Sequence, residues 1–317
     1  MAKLDERRII EIFQSGFGNK KFVSEDVEMF KIGKKFGVIK TDTLVASTDV
    51  PPRMKIADVA RKSIVASVSD FAAKGVRPHY GIISVSLPRD FSESKILQLM
   101  RGFKAASREF GFKILGGDTN QARELVISVT LIGLSDDITP RKGARDGDII
   151  IVSGPFGFSA AGIQILMHKK RSNQEFKKRA ARAVFRPIAR LGFGIQTRKL
   201  VSSAMDSSDG LSTCLVEMAK QSKKQFVITK IPSTSDVEEF AHSNGLDFLD
   251  LVFNGGEEYE IVATTPKKNL GKLRNIAKLQ KINLIEIGSV QRGSGVFIQK
   301  GPRRIKILDK GWIHFAN

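Results

Sequence analysis

Ala204-Met205-Asp206-Ser207-Ser208-Asp209-Gly210-Leu211 sets two carboxylates three residues apart, where an apolar approach meets a helical pattern over 209–222. Taken alone, Asp209 is open to two readings, a cap for that helix or a ligand. The same placement recurs along the chain, an acid where an apolar strand or helix ends. Asp42 lies in Lys40-Thr41-Asp42-Thr43-Leu44-Val45, Asp70 in Val68-Ser69-Asp70-Phe71-Ala72-Ala73-Lys74-Gly75, and Asp118 in Ile114-Leu115-Gly116-Gly117-Asp118-Thr119. Glu257 and Glu258 follow Asn254-Gly255-Gly256. Singly each has a structural reading, and Asp118 alone is an ordinary turn residue. Lys plus Arg number 52 against 33 for Asp plus Glu, a formal charge of +19. With that basic excess the acids are not needed for solubility. Together they read as hard oxygen ligands, suited to Mg²⁺ held jointly by protein and phosphates.

The pairs Gly116-Gly117 and Gly255-Gly256 allow backbone N–H groups to approach an anion. Neither a Gly-x-x-x-x-Gly-Lys-Ser/Thr nor a Gly-x-Gly-x-x-Gly sequence occurs, so any ATP is held by another architecture. Gly154-Pro155-Phe156-Gly157-Phe158-Ser159 reads either as a phosphate-binding turn or as close packing of a helix on its strand. The histidines, His79, His168, His242 and His314, fall in no metal or triad spacing. Cys214 reads as a small buried hydrophobe. Trp312, the single tryptophan, either anchors the tail in the core or stacks on a flat ligand.

The chain has 317 residues, 41% of them hydrophobic, which sets two domains as the expectation. The longest apolar stretch, 125–134, is broken by Ser128, Thr130 and Gly133 and is far short of a membrane span. Met1-Ala2-Lys3-Leu4-Asp5-Glu6 has no secretory h-region, and a single cysteine excludes an internal disulfide framework. A cytoplasmic setting is the expectation. The basic residues are spread along the chain, with short concentrations at 168–190, 220–230 and 300–310, and form no zinc-finger or aromatic RNA-binding consensus. No specific nucleic-acid site is expected, although a positive field attracts phosphorylated small molecules.

Periodicity predicts helices over 4–13, 57–74 and 92–110, with strands over 36–45, 80–87, 112–115 and 125–134. The turn-rich segment 138–148 marks a boundary between 1–137 and 138–317. Beyond it, helices are predicted over 158–169, 173–184, 190–203, 209–222, 235–243 and 267–280. Strands are predicted over 149–152, 226–229, 259–264, 284–287 and 295–299.

Six stretches in order resemble the thiamine-monophosphate kinase family of the aminoimidazole ribonucleotide synthetase superfamily. They are Thr41-Asp42-Thr43-Leu44-Val45, Ser69-Asp70 through Gly75, Leu115-Gly116-Gly117-Asp118-Thr119, Asp206-Ser207-Ser208-Asp209-Gly210-Leu211, Gly255-Gly256-Glu257-Glu258-Tyr259-Glu260 and Lys310-Gly311-Trp312. The resemblance runs from Ser24 to Phe315. It implies an α+β protein of two domains, an N-terminal mixed α/β half that forms a homodimer interface and a C-terminal α+β half. It implies phosphorylation of thiamine monophosphate to thiamine diphosphate by ATP, through direct in-line transfer with several Mg²⁺ ions. By matching position, Asp26, Thr41, Asp42, Asp70, Asp118, Asp206 and Asp209 become metal ligands. Gly117, Asp118, Arg141 and Ser208 become ATP contacts, and Glu257 and Trp312 substrate contacts. The nucleophile is an ionised phosphate oxygen, so no catalytic side chain is required.

Ser24-Glu25-Asp26 stands where the family carries Gly-Asp-Asp, and Gly-Gly-Glu-Glu-Tyr where Gly-Gly-Glu-Asp-Tyr is common. Asp49, in Ser47-Thr48-Asp49-Val50-Pro51, falls where many members place a substrate-facing Gly-x-His, and an acid there could accept a hydrogen bond from the aminopyrimidine. Aminoimidazole ribonucleotide synthetase itself is the rival within the superfamily. Selenophosphate synthetase would need an N-terminal cysteine, and the hydrogenase-maturation carbamoyl dehydratase a C-terminal one, where this chain reads Phe315-Ala316-Asn317. The rival from another class is a basic nucleic-acid-binding protein on a degenerate scaffold, which predicts decayed acids.

Overall fold

A computed structural model describes residues 5–19 and 22–315. Leu4, Ala316 and Asn317 lie outside them. The first half opens with helix α1 (Glu6–Gly16). It continues through β1 (Glu28–Ile32), β2 (Lys35–Val45), the short α2 (Ala46–Asp49) and α3 (Ile56–Lys74). It closes with β3 (Pro78–Leu87), α4 (Glu93–Phe110), β4 (Lys113–Gln121) and β5 (Val126–Ser135). These strands make a sheet of order β1-β2-β5-β3-β4, antiparallel except for the parallel β3–β4 pair.

The second half begins with β6 (Ile149–Val152), α5 (Phe158–His168), α6 (Gln174–Phe185), α7 (Leu191–Thr197), β7 (Ser203–Asp206) and α8 (Leu211–Ser222). It ends with β8 (Gln225–Ile228), α9 (Ser235–Ser243), α10 (Phe248–Phe253), β9 (Ile261–Thr265), α11 (Leu270–Leu279), β10 (Ile285–Gln291), β11 (Gly295–Lys300) and β12 (Arg303–Ile307). Its sheet runs β12-β11-β8-β10-β6-β9-β7. The unbroken apolar run of β6 suits a strand covered on both faces. Ile150 and Val152 join the cluster under α8, and Ile151 joins the cluster on the other face.

Helix α3 sits between the halves. Its apolar residues run all round the barrel, so it has no solvent face, as a core helix should. Val59, Ile64, Val65, Val68 and Phe71 are buried against β2, β5 and α4 on one side, and α7, β7 and β9 close the other. The same cluster therefore holds Val38, Ile127, Val129 and Leu131 from the first sheet with Phe193, Ala204, Tyr259 and Ile261 from the second half. Arg61, Lys62, Ser67, Ser69, Asp70 and Lys74 are buried with them. Buried charge persists only when paired, so α3 carries a chain of fixed ionic contacts along its length.

The first sheet has α3 and α4 on one face only. Its other face carries Thr41 and Thr43 of β2, Ser128, Thr130, Ile132 and Leu134 of β5, and Tyr80 and Ile82 of β3, by the strand pairing register. Tyr80, Ile82 and Leu134 are exposed there. Among the described residues, no helix is long and apolar enough to cross a membrane.

Candidate active site: a carboxylate cluster on the buried helix

Three elements converge at the C-terminal end of α3. Asp70 projects from the helix, Asp206 ends β7, and Asp26 precedes β1. One carboxylate oxygen from each lies within 4.8 Å of the others, and all three residues are buried. Asp42 adds a fourth acid from the α3-facing side of β2, the side that also carries Val38, Lys40 and Leu44.

Bringing acids together costs Coulomb energy, and the structure shows what offsets it. Lys74 is fully buried, donates to Glu25 at 2.6 Å and to the Ala204 carbonyl at 3.0 Å, and stands 2.8 Å from Asp26. Arg141 donates to Asp26 through Nε at 2.7 Å and through its terminal nitrogen, and to Ser24 Oγ at 3.0 Å. Glu25 also accepts the Arg141 backbone N–H at 2.9 Å. The long acid at position 25 is thus explained by Lys74, which it reaches. On the far side, Lys40 Nζ lies 3.1 Å from Asp70 and 3.4 Å from Asp42.

The remaining imbalance appears as displaced titrations. Burial raises Asp70 well above the ordinary carboxylate range, with Asp206, Asp42 and Asp26 adding to it against Lys40. Asp206 is pushed up to about 7 by burial and by Asp26, and Asp209 to about 6 by burial and by Glu6. Burial also acts to raise Asp26, but the charges of Lys74 and Arg141 overcome it and hold it low.

A divalent ion fits this donor set. All the donors are oxygen, and Asp42 Oδ2 is a buried atom that accepts no hydrogen bond, while Asp26 Oδ2 meets the Lys74 ammonium at 2.8 Å. Hard cations prefer such a set. Asp26, Asp42, Asp70 and Asp206 are the residues that would hold the ion.

A second group of residues borders the cluster. The Glu257 N–H donates to the Ser208 carbonyl at 2.7 Å and the Trp312 N–H to the Asp209 carbonyl at 2.9 Å. Trp312 is 59% exposed, so it does not anchor the tail in the core. Lys62 joins the group from α3, with Nζ 2.5 Å from Glu257 Oε1 and 2.8 Å from the Asp49 carbonyl. The Asp49 carboxylate accepts the Val45 N–H at 2.7 Å. The segment is held under strain, because Glu257 has φ 63° and Tyr259 φ 54°. A Cβ on Gly256 would stand 2.7 Å from the Ser208 carbonyl oxygen, so only glycine permits this approach.

The structure separates residues that the sequence groups together. Glu258 does not face the cluster. Its carboxyl group accepts the N–H groups of Gly157 at 2.7 Å and Ser159 at 2.9 Å, which fills the start of α5 from within the protein. The turn at 154–159 therefore packs against a glutamate, and burial raises that group to about 8. Glu260 is paired with Arg190 and Ser153 beneath the sheet. Cys214 is buried.

Thr41 and Asp118 also stand apart from the cluster within one chain. Thr41 hydrogen-bonds Thr130 at 3.0 Å on the open face of the sheet. The row Asp42–Val129–Ile83–Gly117 crosses from β2 to β4, and the neighbouring row Thr43–Ser128–Ser84–Asp118 lies on the open face. Three strand spacings, roughly 14 Å, separate Asp118 from β2. Asp118 is exposed and accepts from Asn120 at 2.7 Å.

Family models for the AIR synthase related protein match both halves, the N-terminal domain over residues 24–135 and the C-terminal domain over 145–301. Thiamine-monophosphate kinase of Nitrosopumilus maritimus is 51% identical over 315 residues, covering 99% of this chain and 100% of that protein. The chain belongs to the thiamine-monophosphate kinase family. The Pyrococcus horikoshii thiamine-monophosphate kinase is 31% identical, with 99% of this chain and 97% of that protein covered. The solved structure of AaThiL complexed with AMPPCP and TMP superposes with a TM-score of 0.88 at 28% identity, over 99% of this chain and 98% of that one. As an enzyme of the thiamine-monophosphate kinase family, the chain has the two-domain α+β fold its motifs implied. The missed contributors to the site are Lys40, Lys62 and Lys74. Their one sequence signal is a charged residue inside an otherwise apolar strand or all-round apolar helix.

Proposed function

We propose that the chain transfers the γ-phosphoryl group of ATP to the phosphate of thiamine monophosphate, giving thiamine diphosphate and ADP by direct in-line displacement. The buried carboxylate cluster beside the exposed Trp312 and the Lys62-held Glu257 carries this reading. A new P–O bond forms from the substrate phosphate oxygen as the bond to the leaving ADP breaks. That oxygen is already ionised, so no protein base is required. Mg²⁺, when bound, screens the repulsion of the two phosphorylated reactants and stabilises charge on the transferred group. Asp26, Asp42, Asp70, Asp206 and Asp209 would hold several such ions. Arg141 and Ser208 would contact ATP. Trp312 would stack on the cationic thiamine ring, with Glu257 and Asp49 orienting the same ligand.

Thr41, Gly117 and Asp118 enter the same reading through a homodimer. The exposed Tyr80, Ile82 and Leu134 on an uncovered sheet face support pairing of two such faces. A two-fold axis along β5 would lay β3 and β4 of one protomer over β2 and β1 of the other. Asp118 and Gly117 would then approach Thr41 across the interface. A cytoplasmic setting accords with this soluble metabolic chemistry.

The test is incubation with ATP and Mg²⁺ against thiamine monophosphate, thiamine, the aminoimidazole precursor and selenide, with the phosphorylated product identified by mass. Thiamine diphosphate formed from thiamine monophosphate alone is the expected result. A product from another acceptor, or from none, would overturn the proposal.

A further inference from the structure

Lys40 has no role in the family-derived assignments, yet it stands at the centre of the cleft. It rises from the middle of β2 with Asp42 two residues on, on the same side of the strand. Its ammonium lies between Asp42 and Asp70, at 3.4 and 3.1 Å. Among the described residues it is the only cation paired with either acid. Lys74 and Arg141 serve the Asp26 side, and neither forms an ion pair with Asp42 or Asp70. One oxygen of Asp42 meets Lys40 while the other is buried without a hydrogen-bond donor, so the pair is only half closed.

We infer that Lys40 is a resident counter-cation of the cleft, standing between Asp42 and Asp70 where a divalent ion would otherwise bridge them. The cleft therefore binds one divalent ion fewer with Lys40 than without it. This rests on the divalent-ion reading above and deepens it. A fixed monovalent cation neutralises part of the cluster at all times, so the acids are held in place before any ion or nucleotide arrives. It also repels an incoming ion at that one position, because like charges a few ångströms apart in a half-buried site interact strongly.

The experiment counts Mn²⁺ bound to the full-length, metal-free protein with a non-hydrolysable ATP analogue, by electron paramagnetic resonance of the free ion. Lys40→Met is expected to bind one more Mn²⁺ than the wild type. Lys40→Arg, which keeps the charge, is expected to match the wild type. Without metal, Lys40→Met should melt lower than the wild type, and saturating Mn²⁺ should raise its midpoint by more. An unchanged Mn²⁺ count in folded Lys40→Met overturns the inference while leaving the divalent-ion reading intact. A wild type that binds no Mn²⁺ removes that reading and this inference together. Should Lys40→Met not fold without metal, the charge-balanced double variant Lys40→Met/Asp42→Asn is expected to fold. If it also fails, Lys40 is a packing residue and the inference is overturned.

Discussion

Two stretches of this chain share one pattern, a glycine pair followed by an acid, and the fold treats them differently. Gly255-Gly256-Glu257 is wedged between α5, α10 and the Ser208–Asp209 segment. There Cβ atoms would meet Ala160 and the Leu251 carbonyl at the first glycine and the Ser208 carbonyl at the second. Gly116-Gly117-Asp118 lies on an edge strand, exposed on both faces from Leu115 onward. Gly117 there abuts the Ile83 carbonyl, and Gly116 has nothing within 4 Å. The acid in the first stretch is locked by Lys62, while the acid in the second meets only Asn120. The pattern announces a backbone that must pass close to something. Whether that partner is the protein's own core or another molecule is decided by neighbours remote in sequence.

The sharpest way to test this contrast is to neutralise an acid in the packed region. Asp70→Asn should reduce turnover by about 100-fold or more, because such transfers are accelerated chiefly by stabilising charge on the transferred group. Its metal-free melting temperature should hold or rise, since burial and three neighbouring acids already penalise that carboxylate. A variant that keeps normal activity, or one that melts much earlier without ligand, would make Asp70 structural.

Trp312→Ala comes next. It should raise the Michaelis constant for thiamine monophosphate roughly 3- to 30-fold, the range of a lost cation–π contact. The constant for ATP should move little, and because the ring is 59% exposed the melting temperature should not fall. Equal changes in both constants would remove the stacking role.

The pH dependence separates the packed region from the edge by titration. Asp206 and Asp209 sit at about 7 and about 6 in the folded protein, against an ordinary 3.8. Folded protein thus holds more protons than the unfolded chain between about pH 4 and pH 7, and metal-free stability should fall as pH rises through that window. Asp26, held low, works in the opposite sense, and its contribution is lost only in acid. Divalent-ion binding must displace the extra protons, so Mg²⁺ affinity should increase over the same rise, with proton release seen by calorimetry in two buffers. Melting curves that are flat or climb from pH 5 to 8 without metal would contradict this.

The smallest effects distinguish the two glycine pairs directly. Gly256→Ala should destabilise by about 1–3 kcal/mol as its Cβ meets the Ser208 carbonyl. Gly116→Ala should stay within about 0.5 kcal/mol. Denaturant titration of both reads the difference, and similar values would show that the edge strand is packed in solution.

Much of the architecture is legible in periodicity because the long elements bury one face or all of themselves. The expected helix over 57–74 is α3, and the strands over 36–45 and 125–134 are β2 and β5. Short elements escape. β7 has four residues, too few to alternate, and starts at Ser203, the last residue of the helix expected over 190–203, whereas α7 stops at Thr197. β1 is exposed along its whole length and β12 up to Ile307, and one apolar pair in each, Phe30/Ile32 and Ile305/Ile307, is too short an alternation to announce a strand. At the site, Asp26, Asp42, Asp70 and Asp206 stand out because acids at apolar ends are unusual. Lys40, Lys62 and Lys74 do not, because a lysine in a chain of charge +19 looks like surface until its neighbours are known. The register that places Asp118 beyond two intervening strands is a property of strand order, which no local pattern encodes.

Helix α3 links the two halves into a single cooperative unit. It lies at the centre of the one apolar cluster that spans both sheets, so unfolding either half strips α3 of part of its cover. Calorimetry should see one transition from a chain with two sheets, and the amides of α3 should be among the last to exchange with solvent. The helix that presents Lys62, Asp70 and Lys74 to the cleft is thus also the slowest part of the molecule to open. Sequence drift that retunes the chemistry must pass through residues on which the integrity of the whole chain depends.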